Sequence, residues 1–192
     1  MIEDYGRFSG ELQKADELIK QKKFEEALPV LLTAYREFTA PIDYYSWLDE
    51  MGEEGYIGVH DWLCYRIAFC YNDRKEYDRA YYYINQVSDR DNFDYMAEWI
   101  NTMVNSNFPG IIELIGAYLE KPEEFVNTLS GEDDRKRMKD FLERRLGYLM
   151  IEYGRIEEAR QLFTRMLDNP NSCRFAREEL DYIADLMEDG EE

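Results

Sequence analysis

The sequence predicts an all-α protein built from repeated helix pairs, and two observations support this fold class. Three segments share one pattern when aligned on Ala27, Ala80 and Ala159, with a small residue twelve positions before and a large apolar residue four positions after each alanine: Ala15, Ala68, Gly147 and Leu31, Ile84, Phe163. The apolar residues leading into the third copy also keep a helical period: Met138, Leu142, Leu146, Leu149, Met150 and Tyr153. Because small residues at fixed offsets let two helices pack closely, each copy is predicted to form an antiparallel helix pair.

The third copy is the most regular, and it resembles the tetratricopeptide repeat (TPR). It begins at Leu146, has a turn glycine at Gly154, reaches its alanine at Ala159 and ends at Pro170. This family stacks paired helices into a curved solenoid. The resemblance implies a TPR-like α-solenoid of about four helix pairs, with inserted helices and a C-terminal capping helix. It implies a single TPR-like helical repeat domain over residues 1–192, with repeats at approximately 8–41, 61–94 and 140–173.

The unequal spacing between the copies predicts additional helices. They are expected as a divergent pair at 94–120 (Asp94–Asn105 and Pro109–Leu119), short inserted helices at Pro41–Glu50 and Pro122–Leu129, and a cap at 173–187. A long helix running to Tyr153 is predicted to begin with a capping box, in which Ser130 accepts from backbone N–H groups and Asp133 reaches back.

The composition favours a cytoplasmic protein. The chain of 192 residues has Glu3 and Asp4 where a secretory signal needs a basic start, and no apolar run approaches the roughly 18 residues of a membrane span. Its three cysteines form no CxxC motif, which is typical of a reduced compartment. The single histidine, His60, has no second His or Cys at ligand spacing, so it is predicted to be a loop or helix-start residue. No catalytic residue, metal or cofactor is predicted.

A candidate binding surface follows from the resemblance, which implies that the first helix of each pair lines a concave face. The outward positions of these helices are Leu12, Asp16 and Ile19 in the first copy, Trp62, Tyr65, Phe69 and Asn72 in the second, and Phe141, Arg144, Tyr148 and Ile151 in the third. Aromatic residues and Arg dominate interface energetics, with hot spots of about 2 kcal/mol or more. The alternative is that the inserted helices cover these rings and make them part of the core.

These observations predict a non-catalytic protein- or peptide-binding scaffold. Two alternatives stand beside it: a cytoplasmic chaperone-like binder of a basic or aggregation-prone client, and an enzyme on a helical scaffold. The net charge of −19 favours a basic or apolar partner and disfavours nucleic acid, whose phosphates need Lys and Arg. No membrane partner is expected. The cations between Arg135 and Arg145 are interleaved with acids, which predicts intrahelical ion pairs; the alternatives are an anion site and contact with the acidic surface of a second copy in a homodimer.

Overall fold

The computed structural model describes residues 5–189, so the first four and last three residues of the predicted 1–192 domain, including Glu3 and Asp4, lie outside the described residues. Helices account for 79% of the structure, and the described part of the chain contains nine α-helices and no β-strand. The prediction of an all-α protein is confirmed. Contacts divide the chain into an N-terminal unit, Met1–Pro109, and a C-terminal unit, Gly110–Glu192. That both units belong to a single repeat domain stays a prediction.

The N-terminal unit contains five helices: α1 (Tyr5–Lys20), α2 (Phe24–Phe38), α3 (Tyr44–Asp73), α4 (Tyr77–Ile84) and α5 (Phe93–Asn105). Each helix packs on the next in the chain, and α3 also packs directly on α5. The long α3 consists of two segments, because Gly52 adopts a left-handed φ of 73° that interrupts the helix. The first segment corresponds to the extra helix predicted at Pro41–Glu50. Its Trp47 is buried against the rings of Phe8 and Phe38.

The C-terminal unit contains α6 (Ile111–Glu120), α7 (Glu132–Glu152), α8 (Ile156–Met166) and α9 (Cys173–Asp189). The long α7 packs on α6 and α8, and α9 packs on α8. The predicted intrahelical ion pairs are present along α7, between Lys136 and Glu132 at 2.8 Å and between Arg137 and Asp134 at 2.7 Å.

Two local predictions in the C-terminal unit are wrong. The segment predicted as a helix at Pro122–Leu129 forms two 3₁₀ turns instead, at Pro122–Glu124 and Val126–Thr128. The helix α7 begins at Glu132 with Gly131 at its N-cap. The predicted capping box places the N-cap at Ser130, so it is one residue out of register with the observed start of the helix.

The repeat register is visible in the burial of the aligned positions. Ala27, Ala80 and Ala159 are completely buried, and so are the large residues four positions later: Leu31, Ile84 and Phe163. In the third copy, Gly147 lies directly against Phe163, as the small residue of the crossing point. The predicted close packing within each helix pair is confirmed at these positions.

The turns between paired helices repeat as well. Lys22, Lys75 and Gly154, each five residues before an aligned alanine, all have positive φ angles, of 59°, 60° and 72°. Each turn closes with two backbone hydrogen bonds; in the third, Gly154 N–H donates to Ile151 and Arg155 N–H donates to Met150. This is the Schellman arrangement that ends a helix. After α5, Asn107 repeats it with a φ of 52°.

Candidate functional site

The predicted aromatic positions of the second copy form a row along α3, which we call the aromatic row: Trp62, Tyr65 and Phe69. All three rings are half-buried, and the Tyr65 and Phe69 ring centroids are 6.4 Å apart. The neighbouring stripe of the same helix is buried and holds the row in place: Cys64, Ile67, Ala68 and Tyr71. The rings thus rest on the core along one edge and leave part of their surface to solvent.

Rings from two other helices flank the aromatic row. Phe24, the first residue of α2, meets Phe69 edge-on at 5.5 Å, and Tyr95 of α5 lies 5.0 Å from Tyr65. Burial raises the pKa of Tyr65 to about 12, with the charge of Arg66 opposing the shift. The predicted alternative was coverage by the inserted helices near 41–50 and 122–129. Of the rings at 41–50, Trp47 packs on Phe8 and Phe38, and Tyr44 lies against Tyr45 and Tyr56.

The side chain of Arg66, which was not among the predicted site residues, lies over the aromatic row. The Arg66 guanidinium is 5.5 Å from the centre of the Trp62 ring and 5.2 Å from that of Tyr65. Arg66 Nη2 also donates to Asp16 Oδ1 of α1 at 2.7 Å, and Lys20 pairs with the same carboxylate at 2.6 Å. Asp16 is one of the outward positions of α1 that were predicted to line the concave face. Arg66 lies four residues after Trp62, a spacing that puts both on one face of a helix, and this was the signal that could have identified it.

Asn72 lies next to the aromatic row but is turned toward α5. Its Nδ2 donates to Glu98 Oε1 at 2.5 Å and to Thr102 Oγ1 at 2.7 Å. Both residues are buried, Glu98 with 6% of its surface exposed and Thr102 with none. The amide donors of Asn72 therefore hold α3 to α5, and only its Oδ1 is left to accept a hydrogen bond. This pairing was not predictable from the sequence, because Glu98 lies in an apolar stretch of a different helix.

The predicted positions of the third copy lie on α7 in the other unit. Tyr148 is 45% exposed, meets the Phe175 ring of α9 edge-on at 5.7 Å, and donates from its hydroxyl to Glu179 Oε1 at 3.1 Å. The guanidinium of Arg144 lies 4.7 Å from the same Phe175 ring. Phe141 and Ile151 are half-buried, as is Arg144. Side chains of α9 thus occupy part of this face, and Tyr148 keeps the most accessible ring.

His60 lies in the middle of α3, so its prediction as a loop or helix-start residue is wrong. Gly55 and Gly58, which lie closest before His60, stay helical, and only Gly52 leaves helical geometry. The imidazole lies 3.4 Å from Asp61 Oδ1 and 3.7 Å from Cys64 Sγ. Cys64 is fully buried, and burial, with the nearby Asp61 charge, raises its pKa to about 12. A thiol with this pKa is inert as a nucleophile at neutral pH.

Asp61 connects α3 to the segment between α4 and α5. Its carboxylate is buried, and its Oδ2 accepts from the backbone N–H groups of Ser88 at 2.9 Å and Asp89 at 2.8 Å. Burial by itself would raise the pKa of Asp61, but the hydrogen bonds from His60, Ser88 and Asp89 outweigh it and hold the pKa below its ordinary value of 3.8. The ionised carboxylate is therefore the form that stabilises the folded chain.

Replacing Asp61 by Ala is expected to lower the free energy of unfolding by about 2 to 3 kcal/mol at neutral pH, because two N–H groups lose a charged acceptor. The folded pKa is depressed, so this contribution is complete above pH 3.8 and is lost as the pH falls through the folded pKa. Urea unfolding of both proteins at several pH values measures the difference. The exposed Asp49 on α3 is the control, and Asp49→Ala is expected to change stability by less than about 0.5 kcal/mol. A pH-independent cost of Asp61→Ala would contradict the argument.

The described residues contain no group of three or more His, Cys, Asp or Glu side chains placed to hold a metal ion. Within residues 5–189, no helix has both the length and the apolar character needed to cross a membrane. Comparison with family models, curated proteins and solved structures finds no match to this chain.

Proposed function

We propose that this chain is a non-catalytic scaffold that binds a protein or peptide partner through the aromatic row of α3, on helix pairs stacked as a TPR-like solenoid. The observation that carries the proposal is the division of α3 into a buried stripe and a half-exposed row of large rings. Rings held by a rigid helix contribute contact area to a partner at little entropic cost, which is why aromatic residues are enriched in binding hot spots.

The solenoid arrangement is supported by the recurrence of one turn. The first helix of each aligned pair ends with a positive-φ residue at the same position, five residues before the aligned alanine, and with the same pair of closing hydrogen bonds. A partner with basic or apolar groups is favoured, since the chain carries a net charge of −19 and like charges across an interface are unfavourable. Among the described residues, Cys64 and His60 are the only cysteine and histidine within contact distance. Burial raises the pKa of Cys64, which argues against this pair as a catalytic nucleophile and base.

The proposal is tested with a variant of the aromatic row and a matched control. Tyr65→Leu with Phe69→Leu keeps an apolar side chain on the core but removes both rings, and it is expected to weaken partner binding by about 1 to 4 kcal/mol. Tyr81→Leu with Tyr82→Leu makes comparable changes at exposed positions of α4 and is expected to leave binding unchanged.

The measurement has two stages. Proteins captured from the native cell by wild-type chain and by each variant are compared by quantitative mass spectrometry, and the protein depleted only by the aromatic-row variant is purified and titrated by calorimetry. Circular dichroism establishes that both variants stay folded. Equal affinity of the purified partner for the wild type and the aromatic-row variant would refute the assignment of this surface.

A further inference from the structure

A groove lies within the C-terminal unit, between α6 and α8, with α7 as its floor; we call it the α6–α8 groove. Its volume is about 940 Å³. The residues that line it on α7 form one helical stripe from Lys139 to Met150, so the groove runs about 16 Å along that helix. Two turns of an α-helix of diameter about 10 Å occupy roughly 850 Å³. The groove is thus long enough for two turns of a helix, and because it opens to solvent it would enclose part of the cross-section of that helix.

The lining of this groove is amphipathic. Met150 of α7 is half-buried and supplies apolar surface to the groove, together with the edges of Leu146, Leu162 and Met166, each of which is at most 6% exposed. On the α6 side, a Cβ atom added at Gly116 would meet no atom within 4 Å, so this wall leaves room for an approaching side chain. A floor of long apolar side chains between two helical walls is the geometry that receives the apolar face of an amphipathic helix.

The charges of the groove indicate the sign of its occupant. Five carboxylates line it and outnumber the three cations: Glu113, Glu120, Glu143, Glu158 and Asp168 against Lys139, Arg155 and Arg165. Arg155 is already engaged by Glu158 at 2.6 Å and Glu113 at 3.6 Å. Glu143 is partly buried among the apolar residues, its pKa raised by burial, and its nearest cation, Lys139, lies 3.8 Å away. A partly buried carboxylate whose only ion pair is a long one is favourable for an incoming cation.

We propose that the α6–α8 groove binds a short amphipathic helix of a partner protein, with Leu or Met side chains on the floor and Lys or Arg side chains against the acidic edges. An acidic helix would add like charges to this surface, which disfavours it. This site involves none of the aromatic row, so it stands independently of the function proposed above.

The test uses a fluorescein-labelled peptide of about 14 residues, or about four helical turns. Its leucines are spaced three or four residues apart so that they share one helix face, and its lysines occupy the opposite face. Anisotropy titration with the full chain is expected to show saturable binding of this peptide and at least about tenfold weaker binding of the same peptide with glutamate in place of lysine. Gly116→Phe fills the groove without changing any charge, and it is expected to weaken binding of the lysine peptide by at least about tenfold. Gly58→Phe, at another open helical glycine in the N-terminal unit, is the control and is expected to bind as the wild type does.

A second measurement determines which helices of the protein the peptide contacts. Hydrogen exchange of the complex is expected to slow in α6 and α7, at 111–120 and 139–150, and to stay unchanged at 62–72. Equal binding by Gly116→Phe and wild type would overturn the proposal, because it would assign the peptide to the general acidic surface. Absence of binding by the wild type would also overturn it. A wild-type dimer that Gly116→Phe converts to a monomer would assign the groove to a second copy of the chain instead.

Discussion

Replacing Ile67 by Ala is expected to lower the free energy of unfolding by about 2 to 5 kcal/mol. Ile67 is completely buried on the stripe of α3 that supports the aromatic row. The change removes three methyl or methylene groups from a close-packed interior and leaves a cavity, because neighbouring helices relax only in part. The loss is measured by urea unfolding monitored by circular dichroism.

Ile57→Ala is the matched control for this prediction. It is the same substitution on the same helix, but Ile57 is 40% exposed, so we expect a markedly smaller cost, within about 1 kcal/mol. If the two variants unfolded at the same urea concentration, the buried stripe would not support α3 as described. The aromatic row would then have no rigid base from which to bind a partner.

Replacing Gly147 by Ala is expected to destabilise the chain by about 1 to 3 kcal/mol, although alanine favours a helix interior by about 1 kcal/mol over glycine. A Cβ atom at position 147 would lie 2.2 Å from Cζ and 2.5 Å from Cε1 of Phe163. The Phe163 ring is fully buried and meets Phe175 at 5.8 Å, so it has little space into which to move. The steric overlap therefore outweighs the gain in helix propensity.

Two further variants distinguish this explanation from a general effect of the substitution. Gly116→Ala makes the same change where the Cβ meets open space, and it is expected to stabilise the chain by about 0.5 to 1 kcal/mol. Adding Phe163→Leu to Gly147→Ala is expected to recover part of the loss, because the smaller side chain makes room for the new methyl group. A Gly147→Ala variant as stable as Gly116→Ala would show that the two helices do not meet at this point.

Much of the fold was predictable because its signals are local. The aligned alanines and the large residues after them follow from the spacing of small and apolar residues within one helix pair, and all of them are buried. Finer features failed where a single backbone angle decides the outcome. Gly52 interrupts α3, whereas the other glycines before His60 stay helical, and the composition of that stretch does not separate the two cases.

The candidate site was predictable only in part. The positions of Trp62, Tyr65 and Phe69 on one face of α3 follow from helical periodicity. Their burial does not, because it depends on Phe24 of α2 and Tyr95 of α5. The pairing of Asn72 was not predictable for the same reason, since its amide donates to Glu98 and Thr102 on α5, a helix that begins only at Phe93.

The amino-acid sequence by itself determined that this chain is all-helical, where its helix pairs cross, and which stripe of α3 is core, because these features depend on periodicity and residue size over short distances. Only the tertiary structure decided which polar groups beside the aromatic row are already paired, as Asn72 is with Glu98 and Thr102. It also decided that a groove with an apolar floor and acidic edges lies between α6 and α8. Such features arise between side chains of different helices, and the distances between those helices are set by packing rather than by any local pattern.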